Sequence, residues 1–145
     1  MVKTDAPDSG SYLLILRLRK ARDISIGKLG SFRFKKGYYL YVGSAKRGLS
    51  KRIERHKRKN KKFFWHIDYL RAYAAFHKVI PIRTNQDLEC RLAAKLKEFA
   101  DWSIPGFGSS DCQCETHLFA TDDHPLPSLM ETIYGLNFDN SIKLG

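Results

Sequence analysis

An aromatic strand that ends in glycine and runs directly into a basic helix is the feature that most constrains this chain. Residues 37–43, Gly-Tyr-Tyr-Leu-Tyr-Val-Gly, have the composition of a strand bounded by glycine. Residues 45–62 follow at once with a net charge of +9, and they place Leu49, Arg52 and His56 at successive turns of a helix. Cations, a phenol and an imidazole therefore converge beside a tight turn, which is the kind of surface that a phosphodiester needs.

Length and composition predict one domain with a buried core. The chain has 145 residues, of which 43% are hydrophobic and 12% aromatic, so disorder of the whole chain is excluded. We expect a flexible leader at residues 1–9, followed by a single domain at residues 10–145. Within that domain we expect a core at residues 10–100 and a Gly-, Ser- and Cys-rich extension at residues 103–145.

Positive charge is concentrated in the first part of the chain. The formal net charge is +11, and residues 1–62 carry 19 Lys or Arg against 4 Asp or Glu, whereas residues 63–145 carry 7 against 11. A positive half on a compact domain indicates a polyanionic partner, and nucleic acid is the first candidate. An anionic membrane is the competitor. However, the basic stretch holds only Leu49 and Ile53 as large apolar residues before Phe63, which is too few for a membrane-surface helix.

The apolar segments predict a cytoplasmic protein without a membrane partner. No apolar run reaches the roughly 18–20 residues that a membrane span needs. The first eight residues carry charge where a signal peptide needs an apolar segment. Three cysteines, few and odd in number, argue against a disulfide scaffold.

Hydrophobic patterning predicts a mixture of strands and helices. Strands are predicted at residues 11–18, 37–43, 74–82 and 117–121, with a β-hairpin at residues 22–34 that turns at residues 27–30. Helices are predicted at residues 51–59 (capped by Ser50, or starting earlier near Leu49), at residues 87–102 and at residues 127–134. Residues 63–73 form either a short helix or an irregular packed segment.

Four short motifs occur in a fixed order along the chain. They are Gly10-Ser11-Tyr12 at the start of a strand, Tyr41-Val42-Gly43-Ser44, then Leu49, Arg52 and His56 at the spacing of helix turns, and Glu89 early in a later helix. In this order they resemble the GIY-YIG nuclease superfamily over roughly residues 10–100. The whole chain also resembles a small stand-alone subfamily of that superfamily, through residues 37–45, 65–70 and 106–114.

The resemblance implies a small α/β fold of the α+β kind. In that fold a central antiparallel sheet, here of three strands, is flanked by helices. The chain departs from the simplest pattern because 28 residues lie between Tyr12 and Tyr41, more than a two-strand hairpin needs. We assign the surplus to the inserted hairpin at residues 22–34.

The resemblance also implies a hydrolase, namely an endonuclease that cleaves DNA phosphodiester bonds with one Mg²⁺ or Mn²⁺ ion. DNA repair is its expected setting, and a repair enzyme is an expected protein partner. By position, Tyr12 and Tyr41 would be the two motif tyrosines, Arg52 the phosphate clamp, His56 an accessory residue and Glu89 the metal ligand. The alternative is a non-catalytic nucleic-acid-binding module on the same scaffold.

The chemistry of these residue types agrees with that assignment. The planar guanidinium of Arg52 can donate two parallel hydrogen bonds to the negatively charged non-bridging phosphate oxygens, whereas a lysine side chain has no such paired donors. Glu89 can hold Mg²⁺ if waters and the substrate phosphate supply the other oxygen ligands. A tyrosine side chain in water has a pKa of about 10, so it serves as a general base only if nearby cations favour the phenolate. Lys46, Arg47, Arg52 and the metal ion could supply that positive charge.

The basic residues of the predicted helix and its flanks are candidates for contact with phosphate without readout of sequence. They are Lys46, Arg47, Lys51, Arg55, Lys57, Arg58, Lys59, Lys61 and Lys62.

The predicted catalytic residues also have a structural interpretation. Tyr12 and Tyr41 could each be a core aromatic residue of a strand. Glu89 could be a first-turn carboxylate that the helix dipole stabilises, with Asp87 as the competing metal ligand. We favour Glu89 because it lies three residues before Leu92, on the apolar face of the helix.

A cysteine and histidine cluster near the end of the chain suggests a second kind of site. Cys112, Cys114 and His117 could bind zinc, together with Cys90 or His124. The spacing is not that of a Cys-x-x-Cys motif, however, and a fourth ligand is not evident. From the sequence we therefore favour small buried thiols over a zinc site.

Overall fold

The computed structural model describes residues 7–109, 113–135 and 143–144. Its strands are β1 (Gly10–Leu18), β2 (Arg22–Ile26), β3 (Gly30–Phe34), β4 (Gly37–Ala45), β5 (Ala75–Arg83), β6 (Trp102–Ser103), β7 (Leu118–Thr121) and β8 (Lys143–Leu144). Its helices are α1 (Leu49–Lys57), α2 (His66–Arg71), α3 (Glu89–Phe99) and α4 (Leu126–Gly135), and a 3₁₀ turn spans Gly27–Leu29.

An antiparallel sheet flanked by helices forms the centre of the fold, which confirms the predicted α+β architecture. The strand order is β6-β7-β4-β1-β5-β8, and every pair in it is antiparallel. The three predicted strands β1, β4 and β5 are neighbours in its middle. The sheet has six strands rather than three because β7 and β6 extend one edge and β8 extends the other.

Strand β1 is apolar on both faces, and it therefore separates two cores. Leu14 and Leu16 pack with the aromatic side chains of β4, with α1, with α2 and with the β2–β3 hairpin. Leu13 and Ile15 point to the opposite face and pack with α3 and α4. The period of two along the strand places helices on both sides of the sheet.

The inserted hairpin is confirmed. Strands β2 and β3 pair with each other in a separate two-stranded sheet, joined by the 3₁₀ turn. Its buried side chains Ile24, Ile26 and Phe34 join the core that also contains α1 and α2. The hairpin therefore covers one face of the main sheet without interrupting the pairing of β1 with β4.

The amino end of α1 is capped from a distant part of the chain. Gly48 takes the N-cap position with a φ of 69°, and Ser50 lies inside the helix, so the predicted Ser50 cap is wrong. The carboxylate of Asp8 accepts hydrogen bonds from the Ser50 backbone N–H at 2.9 Å and hydroxyl at 2.7 Å, and from Arg83 at 2.9 Å. These hydrogen bonds, from Ser50 first, hold the pKa of Asp8 below its usual value. Asp8 is thus fixed in the fold, and the predicted leader does not extend to residue 9.

A buried ion-pair cluster ties α1, α2 and the segment between them together. Asp68 is fully buried, and Arg55 donates to its two carboxylate oxygens at 2.9 and 2.8 Å. The backbone N–H groups of Phe64 and Trp65 donate to it at 2.8 and 3.0 Å, and Lys61 Nζ lies 3.6 Å away. Burial raises the pKa of Asp68, but these hydrogen bonds outweigh burial and hold the pKa below its usual value. The cluster fixes the position of Trp65.

No helix in the described ranges has both the length and the apolar character that crossing a bilayer requires.

We expect Asp68→Asn to destabilise the fold by about 3 kcal/mol, because it removes one charge from a buried ion pair and leaves the other uncompensated. Urea unfolding measures the change. The matched control is Glu54→Gln, which breaks the exposed pair between Glu54 and Lys57 and should cost less than about 1 kcal/mol. Equal losses in the two variants would contradict a structural role for the Asp68 cluster.

Candidate active site

A polar cavity of about 170 Å³ opens at one end of the main sheet. It is lined by Tyr12, Tyr41, Gly43, Ser44, Arg52, Trp65, Glu89, Gly108 and His117. Four of the five predicted catalytic residues are among them. The fifth, His56, lies behind the cavity in contact with Tyr12.

The two tyrosines come from the paired central strands. Tyr12 on β1 faces Gly43 on β4 in the pairing register, and the ring centroids of Tyr12 and Tyr41 are 6.3 Å apart. A Cβ atom at residue 43 would run into the Tyr12 ring, and one at Gly108 would lie 2.8 Å from Tyr41. Glycine at these two positions therefore makes room for the tyrosine rings.

Both tyrosines are deeply buried, which disfavours their phenolate forms. The exposed fraction is 2% for Tyr12 and 7% for Tyr41. Burial raises the pKa of both phenols, and the nearby Arg52 guanidinium lowers them by less. Arg52 alone therefore does not favour the phenolate of either tyrosine.

His56 is the hydrogen-bond partner of Tyr12. Its Nε2 lies 2.7 Å from the Tyr12 hydroxyl oxygen, and the side chain is 1% exposed. Burial, with the cations of Lys61 and Arg55, lowers the pKa of His56 to about 3, so the imidazole is neutral at neutral pH. With the ring hydrogen assigned to Nδ1, Nε2 can accept a proton from the Tyr12 hydroxyl.

Arg52 is held in place at the cavity by two contacts. One guanidinium nitrogen donates to the Ser44 carbonyl oxygen at 3.0 Å, and the guanidinium carbon lies 4.4 Å from the centroid of the Trp65 ring. A guanidinium stacked on an indole keeps its planar fork in one orientation. Arg52 is therefore an oriented cation on the cavity wall.

Glu89 is the first residue of α3, and its carboxylate meets the cavity from the side opposite α1. Its Oε2 accepts a hydrogen bond from the Ser44 hydroxyl at 2.8 Å, and its Oε1 lies 3.1 Å from Nδ1 of His117. Burial raises the pKa of Glu89, but the hydrogen bonds from His117 and Ser44 outweigh burial and keep the pKa below its usual value. The carboxylate is therefore ionised at neutral pH.

The carboxylate and the cavity fit a hard divalent ion. Glu89 is the only carboxylate that lines the cavity among the described residues, and about 170 Å³ holds several waters at about 30 Å³ each. A single carboxylate with waters and a phosphate is a known way to hold Mg²⁺. The competing ligand Asp87 lines a neighbouring cavity of about 360 Å³ instead, to which Glu89 and Ser44 also belong.

The nine predicted phosphate-contact residues fall into two groups. Arg55 and Lys61 are engaged with the buried Asp68. The other seven are exposed, and they are Lys46, Arg47, Lys51, Lys57, Arg58, Lys59 and Lys62. Phe64, which is 77% exposed, lies just after them in the chain.

Only some of the cysteine and histidine residues that the sequence suggested as zinc ligands lie close together in the structure. Cys112 lies outside the described residues. The potential ligand atoms of Cys90, Cys114 and His117 all lie within 4.8 Å of one another. His124 is elsewhere, with its Nε2 3.0 Å from Nε2 of His77.

Five residues of the cavity were not predicted to belong to this site, and two of them, Gly43 and Gly108, are the glycines that make room for the tyrosine rings. The other three contribute polar or aromatic side chains. Ser44 follows the aromatic strand directly, and the sequence pointed to it only as the last residue of a motif. Trp65 follows the basic stretch, where an aromatic residue beside arginines signals a stacking contact. His117 was considered only as a zinc ligand, and no sequence spacing connects it to Glu89.

Gly43→Ala should cost roughly 2–3 kcal/mol of stability, because the added methyl group overlaps the Tyr12 ring in a packed core. Thermal or urea unfolding measures the loss. Gly48→Ala is the control, because no atom lies within 4 Å of a Cβ atom placed at residue 48. Its cost comes only from the left-handed backbone conformation and should be about 1 kcal/mol of stability. A cost at residue 43 no larger than at residue 48 would contradict the close approach of Tyr12.

His56 should make stability depend on pH. Its pKa in the folded state, about 3, lies below the unfolded value of about 6.5. Between these values only the unfolded chain takes up the proton, so stability falls as the pH falls below 6.5. We expect His56 to contribute roughly 1–2 kcal/mol of the loss between pH 7 and pH 5, so the loss should be smaller by this amount in His56→Gln. Burial also lowers the pKa values of His66 and His77, and their part of the loss should remain in the variant. The same pH profile in both proteins would contradict a buried neutral imidazole.

Comparison with known proteins identifies a family. No curated protein and no solved structure matches the chain. A family profile described as a domain of unknown function, DUF123, matches residues 11–137, which include all five predicted catalytic residues. The chain therefore belongs to the DUF123 family.

Proposed function

We propose that this protein is a metal-dependent endonuclease of the GIY-YIG type that hydrolyses DNA phosphodiester bonds. One observation carries the proposal: Tyr12, Tyr41, Arg52 and Glu89 come from four separate elements and line one polar cavity. A DNA-repair setting, a cytoplasmic location and a repair-enzyme partner are parts of the same proposal.

Arg52 binds the scissile phosphate in this proposal. Attack on a phosphodiester places additional negative charge on the non-bridging oxygens, and a guanidinium can meet two of these oxygens at once. The contacts to Ser44 and Trp65 hold the side chain before substrate arrives. Little reorganisation is then needed at the moment of reaction.

Glu89 holds the divalent ion. When bound, Mg²⁺ or Mn²⁺ supplies charge stabilisation for the phosphate and the leaving oxygen. The Ser44 hydroxyl and the His117 imidazole fix the orientation of the carboxylate, because each contacts one of its oxygens. Both contacts also keep Glu89 ionised and ready to bind a cation.

The Tyr12–His56 pair moves a proton. The Tyr12 hydroxyl takes a proton from the attacking water while its own proton passes to Nε2 of His56, 2.7 Å away. This coupled transfer avoids a buried phenolate, which burial disfavours. The anionic substrate favours the imidazolium that forms, because a nearby negative charge raises a histidine pKa. Tyr41 orients the water or the phosphate from the second strand.

The seven exposed basic residues around α1 bind the DNA backbone. Contacts of this kind give affinity that falls steeply with salt and carries no sequence information. Phe64 offers an exposed ring beside them on which an unpaired base can stack. The protein would then select substrates by structure, such as branched or single-stranded regions, rather than by sequence.

Glu89→Gln should abolish cleavage and Arg52→Lys should lower it by about 10²–10³-fold, because the first removes the ion ligand and the second the planar fork. The assay incubates branched, nicked and single-stranded DNA with Mg²⁺ or Mn²⁺. Glu98→Gln is the matched control, since it makes the same change at an exposed position of the same helix and should cleave like wild type.

Three outcomes decide the proposal. Cleavage by Glu89→Gln at the wild-type rate would show contamination and remove the support. Salt-sensitive binding by the wild type without turnover, with either Mg²⁺ or Mn²⁺, would select the non-catalytic binding module instead. Loss of cleavage in both variants with binding retained supports the nuclease.

A further inference from the structure

Three soft or borderline ligands gather beside Glu89. Cys90 follows Glu89 in the first turn of α3, whereas Cys114 and His117 precede β7. Their potential ligand atoms lie within 4.8 Å of one another, although Cys90 and Cys114 are 24 residues apart in the chain. Two separate segments thus deliver ligands to one point.

The spacing of these atoms differs by at most about 1 Å from that of a tetrahedral metal site. Zinc lies about 2.3 Å from sulfur and about 2.0 Å from nitrogen, so its ligands are roughly 3.5–3.8 Å from one another. The two sulfur atoms are 2.8 Å apart, which means that they must separate by about 1 Å to share an ion. Cys90 is exposed, so its side chain can move by this amount.

We propose that Cys90, Cys114 and His117 bind one zinc-class divalent ion, distinct from the hard ion at Glu89. Thiolate and imidazole select zinc over magnesium, whereas a carboxylate with waters selects magnesium. A cavity of about 170 Å³ beside both cysteines leaves room for a water as the fourth ligand. The sequence named Cys90 and His124 as alternative further ligands, but no local spacing decides between them, and the structure places Cys90 at the cluster.

His117 connects this ion to the candidate active site. The residue is 2% exposed, and its backbone is fixed by hydrogen bonds to Phe107 and Val42 at 2.8 and 3.0 Å. Its Nδ1 faces Oε1 of Glu89 at 3.1 Å, so Nε2 is the nitrogen that would bind the ion. A metal-bound histidine commonly donates its other N–H to a carboxylate, which fixes the orientation of both groups. The zinc-class ion therefore acts as a positioning element for Glu89.

A disulfide between Cys90 and Cys114 is the competing use of the same residues. The short distance between their sulfur atoms is compatible with that bond after a small movement. In a disulfide neither cysteine could bind a metal ion as a thiolate, and His117 would have no part in the bond. The two alternatives therefore differ in metal content, which is measurable without any nuclease assay.

The test is metal analysis and Co²⁺ absorption spectroscopy of the full chain purified under reducing conditions. We expect one zinc per chain, and after exchange for Co²⁺ we expect thiolate charge-transfer and tetrahedral d–d bands. Cys90→Ser should lose the ion without loss of fold, because Cys90 is exposed. Cys114→Ser and His117→Asn should also lose it. His124→Asn, at an exposed histidine outside the cluster, should keep it.

Two results would overturn the zinc site. One is a wild-type protein that holds no zinc and shows no thiolate–Co²⁺ band after its thiols have been reduced. This result would overturn the site whether or not peptide maps of the isolated protein show a Cys90–Cys114 disulfide. The other is full zinc content in both Cys90→Ser and His117→Asn. Zinc present in a protein that cleaves nothing would support this inference and contradict the nuclease, so the two proposals fail separately.

Discussion

Antiparallel pairing of β1 with β4, in the register that sets Tyr12 against Gly43, is the constraint on which the rest of the structure depends. It places both tyrosines at the same end of the sheet. Helix α1 follows from the end of β4 and packs on one face, whereas α3 packs on the other. Arg52 and Glu89 thus reach the cavity at the sheet end from opposite layers.

Burial governs the chemistry of this cavity. It keeps Tyr12 protonated and His56 neutral, so the pair carries no charge before substrate binds. Asp68 is the opposite case, because its hydrogen bonds and ion pairs are sufficient to keep a charge buried. In the proposed mechanism the substrate phosphate supplies the missing charge, which would couple proton transfer to binding.

Much of the fold could be predicted from the sequence, because its central strands and the inserted hairpin carry strong local patterns. The apolar run of β1 and the aromatic alternation of β4 are examples. Strands β6 and β8 have two residues each, which is too short for any pattern to show. The Asp8 cap of α1, the pairing of Arg55 with Asp68 and the approach of Cys90 to Cys114 depend on tertiary contacts. The order of the motifs identified the four predicted catalytic residues that line the cavity, but the contact of His117 with Glu89 has no local signal in the sequence.

Paramagnetic broadening of amide NMR signals by Mn²⁺, in protein already saturated with zinc, shows whether Glu89 holds a hard divalent ion in the cavity that it shares with Tyr12, Tyr41 and Arg52. We expect substoichiometric Mn²⁺ to broaden the signals of Gly43 and Ser44 first, and we expect Glu89→Gln to abolish this effect. Broadening that is absent, that starts elsewhere or that persists in Glu89→Gln would mean that Glu89 does not bind the ion.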